Sequence, residues 1–172
     1  MLLKIDISRR KGYNRGMDIQ IDRAAKQDIP RIKELLLQVN NVHAAARPDL
    51  FRTGGKKYSE ETLEDLLCDA SRPVFAARRN GRLIGYVFCI SQTHNGENET
   101  PHTTLYIDDL CVDEAERGQG TGHALYAYVV DYARKNGYYN VTLNVWEGNE
   151  TALRFYRSLG MNVQKYGMEH IL

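Results

Sequence analysis

Residues 117–123 read RGQGTGH, with glycine at alternate positions, and they stand between an apolar stretch and a helical pattern. Fixing a glycine costs more backbone entropy than fixing any other residue, so this spacing carries a large local cost. A helix that begins here offers a compensating gain, because its first N–H groups have no internal partner and carry the positive end of the helix dipole. Without Cβ atoms in the way, an anion can approach those N–H groups closely. We therefore predict an anion site made of backbone, and a diphosphate is the favoured ligand.

Two other interpretations of the glycines stay open. A tight connection from a strand to a helix needs glycine even without a ligand. A nucleotide site is the second alternative, although its motifs are incomplete. No lysine follows the glycines as a P-loop requires, and His123 occupies the third glycine position of a dinucleotide fingerprint.

A strand before the glycines and a helix after them would hold this segment in place. The helix repeats apolar side chains with a 3.6-residue period, and a later helix has Asn149 as its N-cap and Gly160 at its C′ position. In chain order we predict a strand at 17–24, helices beginning at 28 and 59, a hairpin at 73–90 that turns at Asn80-Gly81, a polar loop at 91–102, a strand at 103–112, a helix at 122–136, a strand at 140–146, a helix at 150–159 and one or two strands at 161–172. This order is typical of a mixed α/β, or α+β-like, domain.

The chain has 172 residues and a formal net charge of +1. This length fits one domain, which we place at residues 17–172. Residues 1–16 are basic and aperiodic, and we expect a disordered extension or a start upstream of the native one, with a nucleic-acid arm as the alternative. The balanced charge favours neither a nucleic-acid nor a membrane partner, and no apolar run reaches the ~18 residues of a membrane span.

The three cysteines, Cys68, Cys89 and Cys111, form no C-x-x-C pair and lie in apolar stretches. They predict buried free thiols in a reducing compartment, and hence a cytoplasmic protein. The histidines show no metal-ligand spacing, so we expect no bound metal.

The segment RGQGTG matches the pattern [R/Q]-x-x-G-x-[G/A] of the GNAT superfamily of N-acyltransferases. Its surroundings, LYIDDLCVDEAERGQGTGHAL, resemble the fourth strand, pyrophosphate loop and third helix of that family. Downstream, NETALRFYRSLGM resembles the family's last helix, with its N-x-x-A-x-x-F-Y-x-x-x-G pattern. The resemblance is specific over residues 105–161. It implies a central, mostly antiparallel, twisted sheet flanked by helices, with strands 4 and 5 splayed apart.

The resemblance also implies acetyl-CoA as the acyl donor, with its pantetheine arm in the gap between the splayed strands. Main-chain groups at the end of strand 4 would hold the arm, and the N–H groups of residues 118–123 would hold the diphosphate. Asn149 matches a residue that contacts the arm, and it has the simpler role of helix cap as well. The implied cofactor-binding residues are Leu110, Cys111, Val112, Arg117, Gly118, Gln119, Gly120, Thr121, Gly122, His123 and Asn149.

Acyl transfer to an amine requires a deprotonated amine, a stabilised oxyanion and a proton for the leaving thiolate. The strand N–H of Leu110 is our candidate for the oxyanion. Tyr156 matches the family's tyrosine near the cofactor sulfur and is our candidate general acid, the alternative being a core residue on the helix's apolar stripe. Asp108 aligns with an acid that is the base in some family members, although it could instead attract a cationic substrate or simply face solvent. Since neighbours on a strand point to opposite faces, we expect only one of Asp108 and Asp109 in the cleft.

The sequence therefore predicts an N-acetyltransferase that transfers the acetyl group of acetyl-CoA directly to a primary amine. We favour a small-molecule acceptor over a peptide amine, contacted by loops at 43–57, with Asp49 and Phe51, and at 92–101. A non-catalytic acyl-CoA-sensing module and a nucleotide-binding protein are the alternatives. The family resemblance adds the expectation of a homodimer.

Overall fold

The computed structural model of the chain describes residues 19–172, so the predicted extension at 1–16 lies outside the described residues. The strands are β1 Gln20–Arg23, β2 Val74–Arg79, β3 Arg82–His94, β4 His102–Val112 and β5 Asn140–Leu143, and the helices are α1 Ile29–Ala46, α2 Glu60–Cys68, α3 Thr121–Lys135 and α4 Glu150–Ser158. Two short 3-10 turns, Lys26–Asp28 and Glu114–Glu116, precede α1 and α3.

The five strands form one sheet in the order β1-β2-β3-β4-β5. The first four strands pair antiparallel, whereas β5 pairs parallel to β4. That last pairing covers only residues 104–107 of β4, so the rest of β4 extends past β5 with its outer edge unpaired by β5. The structure thus confirms a mostly antiparallel sheet whose fourth and fifth strands separate.

Helices cover both faces of the sheet, as the apolar periodicity predicts. On one face α1 and α2 bury Leu35 and Leu63 against Tyr86 of β3. On the other face α3 buries Leu125 and Val129 against β2 to β4. Each cluster excludes water from one side of the same strands, and this two-sided burial accounts for their nearly continuous apolar sequence.

The β2–β3 hairpin turns at Asn80-Gly81 as predicted, with φ of +51° and +76°. The hairpin of β3 and β4 is longer than predicted, because residues 91–94 continue β3 and pair with residues 102–105. The prediction of a polar loop over 91–102 is therefore wrong at both ends. Polar residues can extend a strand when the neighbouring strand continues beside them and accepts and donates the same backbone hydrogen bonds.

Other sequence-based predictions also fail locally. Residues 161–172 form no strand, because no strand within residues 19–172 forms backbone hydrogen bonds with them. Cys68 is exposed, while Cys89 and Cys111 are buried free thiols. Cys68 is the last residue of α2 and lies off the stripe that buries Leu63 and Leu66, so helical phase rather than residue type decides its exposure.

The predicted cap of α4 is confirmed, and the two residues at which the sequence predicts helices to begin, 28 and 59, differ in their capping. Ser59 accepts the Thr62 N–H at 3.1 Å, and Asn149 accepts the Ala152 N–H at 3.1 Å. Asp28 precedes α1, but its carboxylate accepts the Ala25 N–H at 2.8 Å and two guanidinium hydrogen bonds from Arg78, at 2.7 and 2.8 Å. Asp28 therefore joins α1 to β2 instead of capping the helix.

Replacing Arg78 by methionine would leave the Asp28 carboxylate, whose side chain is 6% exposed, without its charge partner. We expect Arg78→Met to lower the free energy of unfolding by about 3–5 kcal/mol, measured by urea denaturation at neutral pH. Burial raises the pKa of Asp28, but Arg78 and the Ala25 N–H outweigh it and hold this pKa below its usual value. The stabilisation is therefore present above about pH 4 and is lost as the pH falls.

The control is Arg72→Met, which removes an exposed arginine whose guanidinium lies 3.9 Å from Asp69. We expect that variant to stay within about 0.5 kcal/mol of the unchanged protein. A urea midpoint for Arg78→Met equal to that of the control would contradict the role assigned to this pair.

Candidate active site

The three glycines of the loop between β4 and α3 are glycine for different reasons. Gly118 and Gly120 have φ of +75° and +85°, a left-handed conformation that side chains rarely adopt. Gly122 lies inside α3, where an added Cβ would come within 3.1 Å of the Phe155 ring. Two glycines therefore shape the loop, and the third allows α4 to pack closely against the start of α3.

The N–H groups of residues 118–123 donate no hydrogen bond to any residue in the described part of the chain. The first hydrogen bond at this end of α3 runs from the Ala124 N–H to the Gly120 carbonyl, at 3.0 Å. Six successive residues thus offer unpaired donors at the positive end of a helix, the arrangement that favours an anion. Thr121 contributes only its backbone, because its side chain is buried.

Three side chains of the loop contact neighbouring parts of the protein. Arg117 donates from Nε to the Val112 carbonyl at 3.2 Å, and the Gln119 amide oxygen accepts from Arg79 at 2.9 Å. The His123 ring lies edge-on to Phe155, with the ring centroids 5.2 Å apart. These contacts leave the loop backbone as the surface that a ligand would meet.

The end of β4 continues into this loop beyond the last residue that pairs with β5. Leu110 and Val112 are half-buried, and Cys111 is 3% exposed with its thiol 3.6 Å from the Leu35 carbonyl. Burial raises the pKa of the Cys111 thiol to about 12, so the thiol is neutral and belongs to the core. The predicted contacts of residues 110–112 with a cofactor arm therefore concern main-chain atoms only.

Asp108 and Asp109 lie on the same face of β4, so the prediction that they point to opposite faces is wrong. The cause is a β-bulge, because Asp109 lies opposite Phe88 while Ile107 lies opposite Cys89, and Asp108 is the extra residue. Both carboxylates reach Lys57, whose Nζ is 2.9 Å from Asp108 Oδ2 and 3.4 Å from Asp109 Oδ2.

Two tyrosines complete this acidic pair. Tyr58 donates to Asp108 at 3.1 Å, and Tyr86 donates to Asp109 at 3.4 Å. The Asp109 side chain is only 6% exposed, whereas that of Asp108 is 25% exposed. Burial raises the pKa of Asp109, the charge of Asp108 adds to this, and Lys57 offsets only part of it. A carboxylate with a raised pKa is a stronger base than an ordinary aspartate.

The Lys57 side chain is protonated and positively charged at neutral pH. Burial lowers the pKa of Lys57, but the nearby Asp109 and Asp108 carboxylates outweigh burial and raise this pKa above its ordinary value. The side chain is 36% exposed and lies in the segment between α1 and α2. Nothing in the local sequence marks Lys57 as a partner of β4, because Lys57 and Asp108 are 51 residues apart.

Tyr156 lies on the inner face of α4, and its hydroxyl donates to no residue within 19–172. Burial raises the pKa of Tyr156, and the negative charge of Asp109 raises it further. The phenol is therefore protonated at neutral pH and can donate a hydrogen bond or a proton. The apolar stripe predicted for this helix is only half-buried, because the stripe borders the cleft.

The segment between α1 and α2 meets the segment after β5 through aromatic contacts. Phe51 lies edge-on to Trp146 with ring centroids 5.5 Å apart, and the Arg47 guanidinium lies 5.6 Å from the Trp146 ring. Arg47 also pairs with Asp49 at 2.7 Å and with Glu169 of the C-terminal segment at 2.6 Å. Phe51 thus packs on Trp146, and Asp49 is paired with Arg47.

The second predicted acceptor loop, 92–101, lies towards the other end of β4 from Asp108. Residues 95–101 form the tip of the β3–β4 hairpin, and His102, the first residue of β4, pairs with His94. His102 and Asp108 are six positions apart along β4, which is about 20 Å at 3.3 Å per residue. Within residues 19–172, no three His, Cys, Asp or Glu side chains are grouped to hold a metal ion. No helix in the same part of the chain is long and apolar enough to cross a membrane.

The family of this chain follows from comparison with known proteins. The profile of the acetyltransferase (GNAT) family matches residues 36–161. The chain therefore belongs to the GNAT acetyltransferase family, which agrees with the splayed strands and the glycine loop.

Similar proteins fit this assignment. The chain is 32% identical to a mycothiol acetyltransferase of Thermomonospora curvata over 122 residues, which is 64% of this chain and 38% of that protein. It is 31% identical to a glucosamine 6-phosphate N-acetyltransferase of Trypanosoma brucei over 98 residues, 55% of this chain and 61% of that protein. The chain thus spans less than two thirds of both relatives. A crystal structure of a tetramutant of the BH1408 protein of Bacillus halodurans superposes with a TM-score of 0.84 at 29% identity, covering 89% of this chain and 99% of that one.

Replacing Lys57 by methionine removes the cation that opposes the effect of burial on Asp109. We expect the pKa of Asp109 to rise further in Lys57→Met, measured by carboxyl carbon NMR during a pH titration. Lys56→Met is the matched control, because Lys56 is exposed and makes no ion pair within the described residues. Equal titration of Asp109 in both variants would show that Lys57 does not set the charge of this site.

Proposed function

We propose that this protein is an N-acetyltransferase that transfers the acetyl group of acetyl-CoA directly to a primary amine. One observation carries the proposal: the unpaired N–H groups of the loop, the acidic pair of β4 and Tyr156 all border the cleft that opens where β4 separates from β5. Membership of the GNAT family supports the same reaction.

The chain offers a suitable place for each part of acetyl-CoA. The N–H groups of residues 118–123, with Arg117 at the start of the loop, would hold the diphosphate, since they are unpaired donors at a helix N-terminus. The main chain of residues 110–112 and the side chain of Asn149 would hold the pantetheine arm. The cosubstrate supplies the activated acetyl group when it is bound.

The protein's own groups would then move the protons. Tyr156, held protonated by burial, would donate to the departing sulfur. Asp108 would receive the proton of the acceptor ammonium, directly or through water, with Asp109 beside it on the same face of β4. The raised pKa of Asp109 makes this pair a better proton acceptor than a single exposed aspartate.

The acceptor would be a primary amine, and we favour a small molecule over a peptide. The acidic pair, opposed by the single charge of Lys57, supports a cationic acceptor. The contact of Phe51 with Trp146 narrows this side of the cleft, which favours a small ligand. The relative from T. brucei is named for an amine-bearing sugar phosphate. A peptide amine is the other outcome of an acceptor screen.

Replacing Tyr156 by phenylalanine tests the reaction. We expect Tyr156→Phe to lower kcat by about 10²- to 10⁴-fold, the usual contribution of a general acid, while CoA affinity stays unchanged. Thiol release from acetyl-CoA with a panel of small amines and peptides measures kcat. The rise of Tm with added CoA measures binding.

Tyr139→Phe is the matched control, because Tyr139 is 75% exposed and follows α3 at the far end of β4. We expect the kcat of Tyr139→Phe to equal that of the unchanged protein. Binding of CoA without thiol release for any amine would instead indicate an acyl-CoA-sensing module, and no rise of Tm with millimolar CoA would count against the whole proposal.

We also propose a homodimer in the cytoplasm. Exposed apolar side chains in the C-terminal segment support assembly, namely Val163, Tyr166, Met168, Ile171 and Leu172. The free thiols of Cys68, Cys89 and Cys111 support a reducing compartment. We expect light scattering with size-exclusion chromatography to give about twice the 19.7 kDa chain mass, and a mass of one chain would contradict the dimer.

A further inference from the structure

One buried arginine attaches the glycine loop to the β2–β3 hairpin. Arg79 is the last residue of β2, and its side chain is 12% exposed. Its Nη1 contacts the Glu116 carboxylate and also donates to the Gln119 amide oxygen at 2.9 Å. A single guanidinium group therefore holds two points of the segment that connects β4 to α3.

The two points lie on either side of Gly118. Glu116 is the last residue of the 3-10 turn after β4, and Gln119 stands between the two glycines with positive φ. Glycine has no strong preference between left-handed and right-handed backbone, so a loop built on two glycines can adopt several conformations. A side-chain anchor at Gln119 selects one of them, and ordering the loop before a ligand arrives reduces the entropy cost of binding.

We propose that Arg79 is the positioning residue of this loop, holding its N–H groups in the arrangement that binds the diphosphate of CoA. This inference rests on the proposed function, because it assumes that the loop binds CoA. Arg79 acts through Glu116 and Gln119, and its guanidinium is turned to the protein side of the loop.

Arg79 could also act merely as a positive charge near an anion. Long-range attraction needs only the charge and is insensitive to which atoms carry it. Positioning needs the reach of the arginine side chain, because a single nitrogen, Nη1, meets both the Glu116 carboxylate and the Gln119 amide oxygen. The two explanations differ in what they predict for substitutions that keep the charge or remove its partner.

The neighbouring arginine provides a matched control. Arg78 precedes Arg79 on β2 and is similarly buried, at 14% exposed, but it pairs with Asp28 and Asp22, away from the loop. Loss of either arginine removes one buried cation from the same strand. Only the loss of Arg79 releases the loop.

We expect Arg79→Met to weaken CoA binding by about ten- to hundredfold, the range that a charge-assisted hydrogen bond spans. Isothermal titration calorimetry with CoA, well below the Tm of every variant, measures the effect. Arg78→Met should be less stable to urea yet bind CoA as the unchanged protein does. In steady-state assays Arg79→Met should raise KM for acetyl-CoA with little change in kcat. Equal CoA affinity of Arg79→Met and Arg78→Met would overturn the inference.

Two further variants separate positioning from charge. Arg79→Lys keeps the charge, but its shorter side chain cannot place a nitrogen where Nη1 lies. Glu116→Gln removes the opposing carboxylate at a position where the side chain is 19% exposed. Positioning predicts weaker CoA binding in both. A charge effect predicts normal binding in Arg79→Lys and tighter binding in Glu116→Gln, and that result would overturn the inference even if Arg79→Met failed to fold.

The unchanged protein separates this inference from the proposed function. If it does not bind CoA, both fail together. If it binds CoA and every Arg79 and Glu116 variant binds equally well, the proposed function stands and the role of Arg79 is rejected.

Discussion

The structure depends on the point at which β4 and β5 stop pairing. They pair over four residues, 104–107 of β4 with 140–143 of β5, and β4 then continues alone on that side. Backbone N–H and C=O groups that are shielded from water need partners. An open strand edge inside a cleft is therefore a place where a ligand can complete the sheet's hydrogen bonds, and the bulge, the glycine loop and Tyr156 are all arranged along that edge.

The pKa values at this edge follow from burial and from an excess of negative over positive charge. Two carboxylates share one lysine ammonium, and one of them, Asp109, is almost fully removed from solvent. Its remaining negative charge contributes to the raised pKa of Tyr156, while its own pKa is raised chiefly by burial. The same low exposure therefore raises the pKa of a carboxyl group and of a phenol within one cleft, the combination that the proposed acyl transfer would use.

Order in the glycine loop has a different origin from order in the helices and strands. The N–H groups of residues 118–123 donate no hydrogen bond within the described residues, so main-chain hydrogen bonds add little to the loop's order beyond the one that the Gly120 carbonyl accepts. Side chains hold it more strongly: Arg117 ties the start of the loop to the Val112 carbonyl, and Arg79 holds Gln119 from the neighbouring hairpin. Anchoring by side chains leaves the backbone donors available to a ligand.

The sequence by itself determined the features that depend on residues a few positions apart. Periodicity placed α1, α3 and α4, the Asn80-Gly81 pair specified a hairpin turn, and the glycine spacing located the loop. Only the tertiary structure decided that Asp108 and Asp109 share a face, since the bulge exists through pairing with β3. The contacts of Lys57 with Asp108 and of Arg79 with Gln119 join residues 51 and 40 positions apart. Such contacts leave no periodic trace in the chain, because they are created when separate elements pack together.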